Sequence, residues 1–405
     1  MIAMAERSDI AAADEAELAV LVAQAATDRR PLLVQGFGSK SGMLRPVQAD
    51  ATISTRRLSG VTLYSPRELV ISALAGTPLD EIEAVLRQSG QQLTAEPPDL
   101  SGLLGSDAGQ SWGGMVAGNL SGPRRIAWGA TRDHVMGIRV INGRGEVIRS
   151  GGRVLKNVTG LDLCKLLAGS QGTLGIMTEI TLKVLPAPAT TGAIIIRGLD
   201  ANQGVSALSA ALGSPFGVSG AAFLPSWAAE TIPALGSQSV TIIRIEDFPH
   251  SVAYRLDQLS GVLARFGRAE TLDDLTSRAV WKAIRDVTPL RPGASEAVWH
   301  LSTRPSHGPQ LLALIEAAGA RGIMDWGGGR IWAAGPGTEA VHGTVMRAVR
   351  DLGGHFTLMR APDSLRTAVP VVPEEAPALA ALTRRVKAAM DPAGIFNPGR
   401  LYAGL

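Results

Sequence analysis

Short apolar runs alternate with polar turns along the first third of the chain, at the spacing of strands and short helices. Leu32-Leu33-Val34 reads as a strand running into QGFGSKSG (35–42), and ATISTRRL (51–58) reads as the next strand. In LVISALAGTPLDEIEAVLRQSG an apolar strand at 69–75 meets Gly76. Thr77 is placed there to cap a helix, Pro78 to take its first position and Asp80 to reach back as in a capping box. MGIRVI and GEVIRS predict two strands joined as a hairpin at Asn142-Gly143-Arg144-Gly145. Gly169, Gly172 and Gly175 then lead into the strand of IMTEITLKVLP.

From Thr191 to about Ala368 the pattern changes. TGAIIIRGL, AAFLP, SVTIIRIED, AVWHLSTRP, GIMDWGGGRIWAA and HFTLMRAP read as strands or hairpins. Between them run helical stripes: Val252, Leu256, Leu259, Val262, Leu263 and Phe266 in one segment, and Leu311, Leu312, Leu314 and Ile315 in another. These predict a mixed sheet covered by helices, with the stripes as buried faces.

The 405 residues suffice for two domains, and 45% apolar with 19% charged residues is the composition of a folded globular enzyme. A net charge of +3 without a long basic block gives dedicated nucleic-acid binding little support, and suits an anionic ligand equally well. The single cysteine, Cys164, forms no internal disulfide, and its setting in LDLCKLLAG reads as a short apolar helix with a buried, inert thiol. Six scattered histidines lack zinc-finger spacing. The N-terminus has no secretory pattern, and no window approaches the roughly 18 apolar residues of a spanning helix. A reducing cytoplasm is expected, with any membrane contact made through a partner.

QGFGSKSG nearly matches two nucleotide-binding signatures. A phosphate-binding P-loop needs a different spacing between its glycines and the Lys-Ser pair, and a dinucleotide fingerprint needs a third glycine and a following helix, whereas SGMLRPVQADAT has no helical stripe. The run is therefore a loop between strands. Glycines at 36 and 38 let successive N–H groups point into one concavity, to which Ser39, Lys40 and Ser41 add donors; this is chemistry for a pyrophosphate, and a plain glycine-rich turn is the other reading. A second cluster, SWGGMVAGNLSGPRRIAWGATRDHV, brings Gly113, Gly114, Ala117, Gly118 and Gly122 together with the short polar side chains of Asn119 and Ser121. A long, flat ligand can lie directly on such backbone.

These two runs, with KNVTGLDLCKLLAGSQGTLGIMTEITL and the DPAGIFNPGRL of 391–401, occur in an order that resembles the vanillyl-alcohol-oxidase (PCMH-type) FAD-binding family. Within it the chain is similar to the FAD-binding accessory subunits of glycolate oxidase complexes. The resemblance implies an α+β protein: a PCMH-type FAD-binding domain at 1–187, an α+β cap domain at 188–370 and a C-terminal return to the first domain at 371–405. It implies that Gly36, Phe37, Gly38, Ser39, Lys40 and Ser41 wrap the FAD pyrophosphate. Gly113, Gly114, Asn119, Ser121 and Gly122 form a second wall, continued by Gly129, Arg132 and Asp133. Gly172, Gly175 and Ile176 lie against the adenosine end, and Asn397 approaches the isoalloxazine. Neither the 36–41 nor the 113–122 loop carries the histidine or cysteine that holds flavin covalently in some relatives, so FAD is expected to be non-covalent.

The same resemblance implies oxidation of glycolate to glyoxylate beside a second, FAD-containing catalytic subunit and an iron–sulfur subunit, in the cytoplasm or peripherally at the inner membrane through those partners. One departure bears on this. Related 2-hydroxyacid dehydrogenases carry a histidine-bearing segment in the cap where this chain has Asp325-Trp326-Gly327-Gly328-Gly329-Arg330-Ile331-Trp332. Removing a hydroxyl proton needs a base, and a carboxylate substrate needs a cationic clamp. Asp325 and Arg330 are the candidates, and they read equally as a hairpin carboxylate and a solvated arginine. His300 and His307 sit beside a strand end and are weak as a metal pair, so a structural or exposed role is the plainer reading. Arg124 and Arg125 balance flavin or substrate charge, or face a partner. The chain is thus read as an FAD-dependent oxidoreductase acting within a complex, with a stand-alone 2-hydroxyacid dehydrogenase and a non-catalytic flavin-bearing assembly subunit as alternatives.

Overall fold

In the helix Glu15–Thr27, Leu18, Val22 and Ala25 turn one stripe inward, and Asp14 caps it by accepting from Glu17 N at 2.8 Å. This helix makes the crossover that lets its flanking strands run parallel. In the computed structural model, which describes residues 8–152 and 161–405, Ser8–Ala11 and Leu32–Gln35 flank Ala51–Ser54 in a three-stranded parallel sheet. The KNVTG run at 156–160 and the first seven residues lie outside the described residues.

The apolar runs between Val61 and Lys183 form a five-stranded antiparallel sheet in the order Val61–Ser65, Val70–Leu74, Ile176–Lys183, Val135–Ile141, Val147–Gly151. The Asn142–Gly145 hairpin forms as the sequence predicts. Trp112 is fully buried in this core, and its Nε1 donates to Ile180 O at 3.1 Å. The helix after Gly76 begins one residue later than expected, at Leu79, with Pro78 as cap and no side-chain cap bond. The reason is that Thr77 Oγ1 is already engaged, accepting from Gly60 N at 2.9 Å and donating to Leu74 O at 2.7 Å.

Eight strands between Thr190 and Arg360 form one sheet. Its order is Ala269–Leu272, Thr190–Arg197, Val240–Asp247, Val218–Leu224, Arg321–Asp325, Arg330–Pro336, Glu296–Ser302, His355–Arg360. Every pairing in it is antiparallel, which corrects the expectation of a mixed sheet. Strand–helix–strand alternation predicts parallel neighbours only when the crossover lands next door. Here the helical crossovers within each half of the sheet skip one place, and the strand inserted between runs the opposite way, as in the split βαβ arrangement; the helix Asp274–Arg285 links the two halves. The sheet is therefore two four-stranded halves of the same topology, joined where Phe223 pairs with Met324.

The two halves are covered by the helices Ala201–Leu212, Pro249–Leu263, Asp274–Arg285, Gly308–Ala317 and Glu339–Asp351. Val252, Leu259, Leu263, Leu311, Leu312 and Ile315 are buried as expected, whereas Val262 and Leu314 fall off the buried face and are exposed. The core of this sheet is continuous with Met43, Leu44, Leu100, Leu103, Leu104 and Leu120. After the helix Pro377–Met390 the chain returns to the parallel sheet. Leu32 N donates to Ile395 O at 2.7 Å, Asn397 N donates to Leu32 O at 3.0 Å, and Phe396 bridges Leu32 in parallel.

Candidate functional site

The loop 36–41 leaves the C-terminal end of Leu32–Gln35. Three of its carbonyls are held by the protein: Gly36 O accepts from Ser54 Oγ at 2.8 Å, Gly38 O from Ser41 N at 3.0 Å, and Lys40 O from Met43 N at 3.1 Å and Arg400 Nη2 at 2.7 Å. Its donors are not. Among the described residues, the N–H groups of Gly36, Phe37, Gly38, Ser39 and Lys40 donate to no protein acceptor. Gly38 has φ of +81°, the left-handed region that glycine enters at least cost, and a Cβ on Gly36 would lie 2.1 Å from Ser111 Oγ. Lys40 Nζ has Ser39 Oγ at 3.4 Å and, among the described residues, no carboxylate within ion-pair distance. Burial pushes its ammonium down to about 8, against the pull of Asp99.

The wall opposite is the helix Trp112–Gly118, capped by Ser111, whose Oγ accepts from Gly114 N at 3.1 Å. Gly113 packs against strand Val70–Leu74 and its continuation so closely that a Cβ would approach Ala75 Cβ to 2.8 Å. Gly172, at φ +70°, and Gly175 close the third side. Asn397 ties the sides together: its Oδ1 accepts from Val34 N at 2.8 Å and its Nδ2 donates to Gln171 O at 2.9 Å. Gly36 to Ser41, Gly113, Gly114, Gly172, Gly175, Ile176 and Asn397 line a single cleft of about 770 Å³, open mouth included. Free N–H donors, an unpaired ammonium and glycine walls without side chains fit the diphosphate and flat rings of FAD.

Sequence reasoning missed Gln35, Thr55, Ser111, Gln171 and Arg400 of the lining. Arg400 stood inside the DPAGIFNPGRL run, but nothing in the sequence said which way it faces. The remaining candidates do not line this cleft. Asn119 ends the helix at φ 48° and accepts from Arg132 N at 3.0 Å through Oδ1. Ser121 Oγ accepts from Thr131 N at 2.9 Å, and Gly122 lies where a Cβ would meet Glu96 O at 2.1 Å. Gly129, at φ +86°, backs onto Asp133, whose carboxylate accepts from Ala130 N at 2.8 Å. Arg132 is exposed. Together these residues shape the segment 119–134.

Asp325 and Arg330 form a buried ion pair at 2.5 Å. Burial raises the Asp325 carboxyl from its ordinary range and lowers Arg330, each opposed by the charge of the other. Asp325 Oδ1 also accepts from Trp326 N at 2.6 Å, Arg330 Nη1 donates to Ser121 O at 2.8 Å, and Trp326 Nε1 donates to Gly122 O at 3.1 Å. The guanidinium groups of Arg330 and Arg125 lie 4.2 and 4.5 Å from the Trp326 ring centre. The pair thus docks the cap hairpin onto residues 121–125. His300 packs against Trp326 and Trp332, and burial with Arg330 nearby pushes its imidazole down to about 3, so it is neutral. His307 Nδ1 lies 3.2 Å from Leu352 O. Arg124 joins Glu96, Arg244 and Glu246 in a buried network that ties the loop residues 96 and 124 to the strand Val240–Asp247. Cys164 is buried, its thiol pushed up by burial. Among the described residues, no three His, Cys, Asp or Glu side chains gather so as to hold a metal, and no helix is long and apolar enough to cross a membrane.

The FAD binding domain family matches residues 9–151. Over 384 residues, 95% of this chain and 96% of the relative, the chain is 35% identical to the glycolate oxidase subunit GlcE of Escherichia coli (strain K12). Among solved structures, p-cresol methylhydroxylase with substrate bound is similar at a TM-score of 0.74, covering 97% of this chain and 88% of that one at 12% identity. The 4-ethylphenol oxidase of Gulosibacter chungangensis is similar at 0.71, covering 98% and 89% at 13% identity.

Proposed function

Because the chain belongs to the PCMH-type FAD-binding oxidoreductases, in the branch of the glycolate oxidase FAD-binding subunit, we propose that it is the FAD-bearing accessory subunit of a complex that oxidises glycolate to glyoxylate. The observation that carries this reading is likeness to a glycolate oxidase subunit over 95% of this chain and 96% of that relative. Bound in the cleft, FAD supplies a two-electron acceptor for the carbon that bears the substrate hydroxyl. The chain's own residues hold it without a covalent bond: loop 36–41 offers N–H groups to the diphosphate, glycines 113, 114, 172 and 175 keep side chains out of its path, and Asn397 fixes the strand ends. Asn119, Ser121, Gly122, Gly129, Arg132 and Asp133 belong to the same reading as supports of the second wall.

Assembly with a second FAD-containing catalytic subunit and an iron–sulfur subunit, in the cytoplasm, completes the proposal. It is supported by the state of Asp325, whose carboxylate is shared between Arg330 and Trp326 N and has no exposed lone pair with which to act as a base. The division into residues 1–187, 188–370 and 371–405 accompanies this reading and is supported by the separate sheets. The test is an anaerobic flavin spectrum of the purified chain. We expect FAD that is released on denaturation and is not bleached by glycolate until the partner subunits are added. Rapid bleaching by glycolate alone would restore the stand-alone dehydrogenase, and a chain that takes up no flavin on reconstitution would end the reading.

A further inference from the structure

Arg400 is 7% exposed and has no carboxylate partner among the described residues. Its donors go to backbone carbonyls, Nη2 to Lys40 O at 2.7 Å and Nη1 to Arg45 O at 3.4 Å. A buried guanidinium without a counter-ion is costly, and here a second one makes it costlier. Arg366 lies behind the same loop, donating to Leu44 O at 3.0 Å, and it has its own carboxylate in Asp363. Burial, reinforced by Arg366, pushes the Arg400 guanidinium down to about 10. Lys40, on the loop that Arg400 holds, is the other cation on the cleft lining, and Asp99 is the one acid that pulls on it. The cleft therefore carries two positive charges that the described protein does not neutralise, beside five free N–H donors.

We propose that Arg400 and Lys40 are a paired counter-ion for the two negative charges of a diphosphodiester, so that the C-terminal return supplies half of the charge that retains the cofactor. This rests on the FAD reading and deepens it. Loop N–H groups alone recognise phosphate oxygens; two fixed cations set the number of charges the ligand must carry. The cleft then selects for the diphosphate of FAD rather than for its ring system, and riboflavin gains nothing from either cation. Arg400 also neutralises from behind the carbonyl of Lys40, which keeps that peptide's oxygen turned away from an anion.

The experiment is titration of the flavin-free full chain with FAD, ADP and riboflavin at several KCl concentrations, by calorimetry. The wild type is expected to bind FAD and ADP with affinities that fall as salt rises, and riboflavin with little salt dependence. Arg400→Gln and Lys40→Gln each weaken FAD and ADP by about tenfold to a hundredfold and flatten the salt dependence, while riboflavin is unchanged. Arg400→Lys restores most of the loss. If Arg400→Gln does not fold, as its thermal unfolding will show, Lys40→Gln and Arg400→Lys carry the same comparison. Unchanged FAD and ADP affinity in folded variants overturns the pairing, and so does an equal loss of riboflavin, which would assign both residues to loop packing. A wild-type chain that binds no FAD overturns the FAD reading and this inference with it.

Discussion

Asn397 and Val34 stand 363 positions apart in the sequence, yet Asn397 Oδ1 accepts from Val34 N at 2.8 Å, two residues before the glycine loop begins. The same side chain donates to Gln171 O, so one amide joins three separate segments at the floor of the cleft. Replacing it by Ala removes both bonds and leaves Val34 N–H unpaired, and its φ of 42° offers Ala no relief. We expect Asn397→Ala to destabilise the protein by about 1–3 kcal/mol in urea unfolding and to lower flavin occupancy; an unfolding midpoint equal to wild type would remove Asn397 from this role.

Gly38→Val tests the loop directly. Its φ of +81° excludes a β-branched residue at low cost, and a Cβ would sit 3.3 Å from Gln35 Oε1. The variant is expected to lose FAD affinity by about tenfold or more, read as flavin absorbance after gel filtration. Unchanged occupancy would take the loop out of the cofactor site.

Lys40 sets a pH signature of the flavin-free chain. Its folded-state pKa of about 8 lies below the ordinary 10.5, so the cost of burying the ammonium is fully present below pH 8 and is relieved as pH rises from 8 to 10.5. Lys40→Met abolishes that gain, and at pH 7 the flavin-free variant is more stable than wild type by about 1–3 kcal/mol. Difference melts of the two proteins across this range check it, and parallel pH curves would contradict it.

Glu246 does the opposite at low pH. Burial alone raises its carboxyl, but Arg244 and Arg124 pull it down to about 2. Its contribution is therefore complete above the unfolded value near 4.5 and is lost as pH falls from there toward 2. Glu246→Gln should reduce the steepness of acid unfolding in that window and destabilise the chain at pH 7 by about 3–5 kcal/mol, since Arg124 and Arg244 are left short of charge.

The Asp325–Arg330 pair predicts strong coupling. Arg330→Met leaves Asp325 buried beside Trp326 with no cation and costs about 3–5 kcal/mol, while the double variant with Asp325→Asn costs clearly less than the sum. Additive costs, measured by urea unfolding of the four proteins, would show that the pair does not dock the hairpin as a unit.

Sequence patterning carried the strands well, because a buried strand face or a helical stripe leaves a period that survives in the chain. It failed where identity depends on what a residue meets. Thr77 looked like a cap but spends its hydroxyl on Gly60 and Leu74, and Arg124, open to balancing ligand charge or facing a partner, lies in a buried network. The split order of the eight-stranded sheet was illegible for a different reason: a helix between two strands does not record whether its crossover skips a place. In the cleft, glycines announced themselves by the shape they permit, whereas Arg400 and Gln171 meet the site through a return of the chain that no local pattern encodes.

That return has a consequence for synthesis. The wall made by Asn397 and Arg400 comes into being last, after 20 of the 22 lining residues have been made, since the loop at 36 and the glycines at 113 and 172 leave the ribosome first. A product that stops short of residue 397 has the loops but lacks the bonds by which Asn397 and Arg400 tie Val34, Gln171 and Lys40 together.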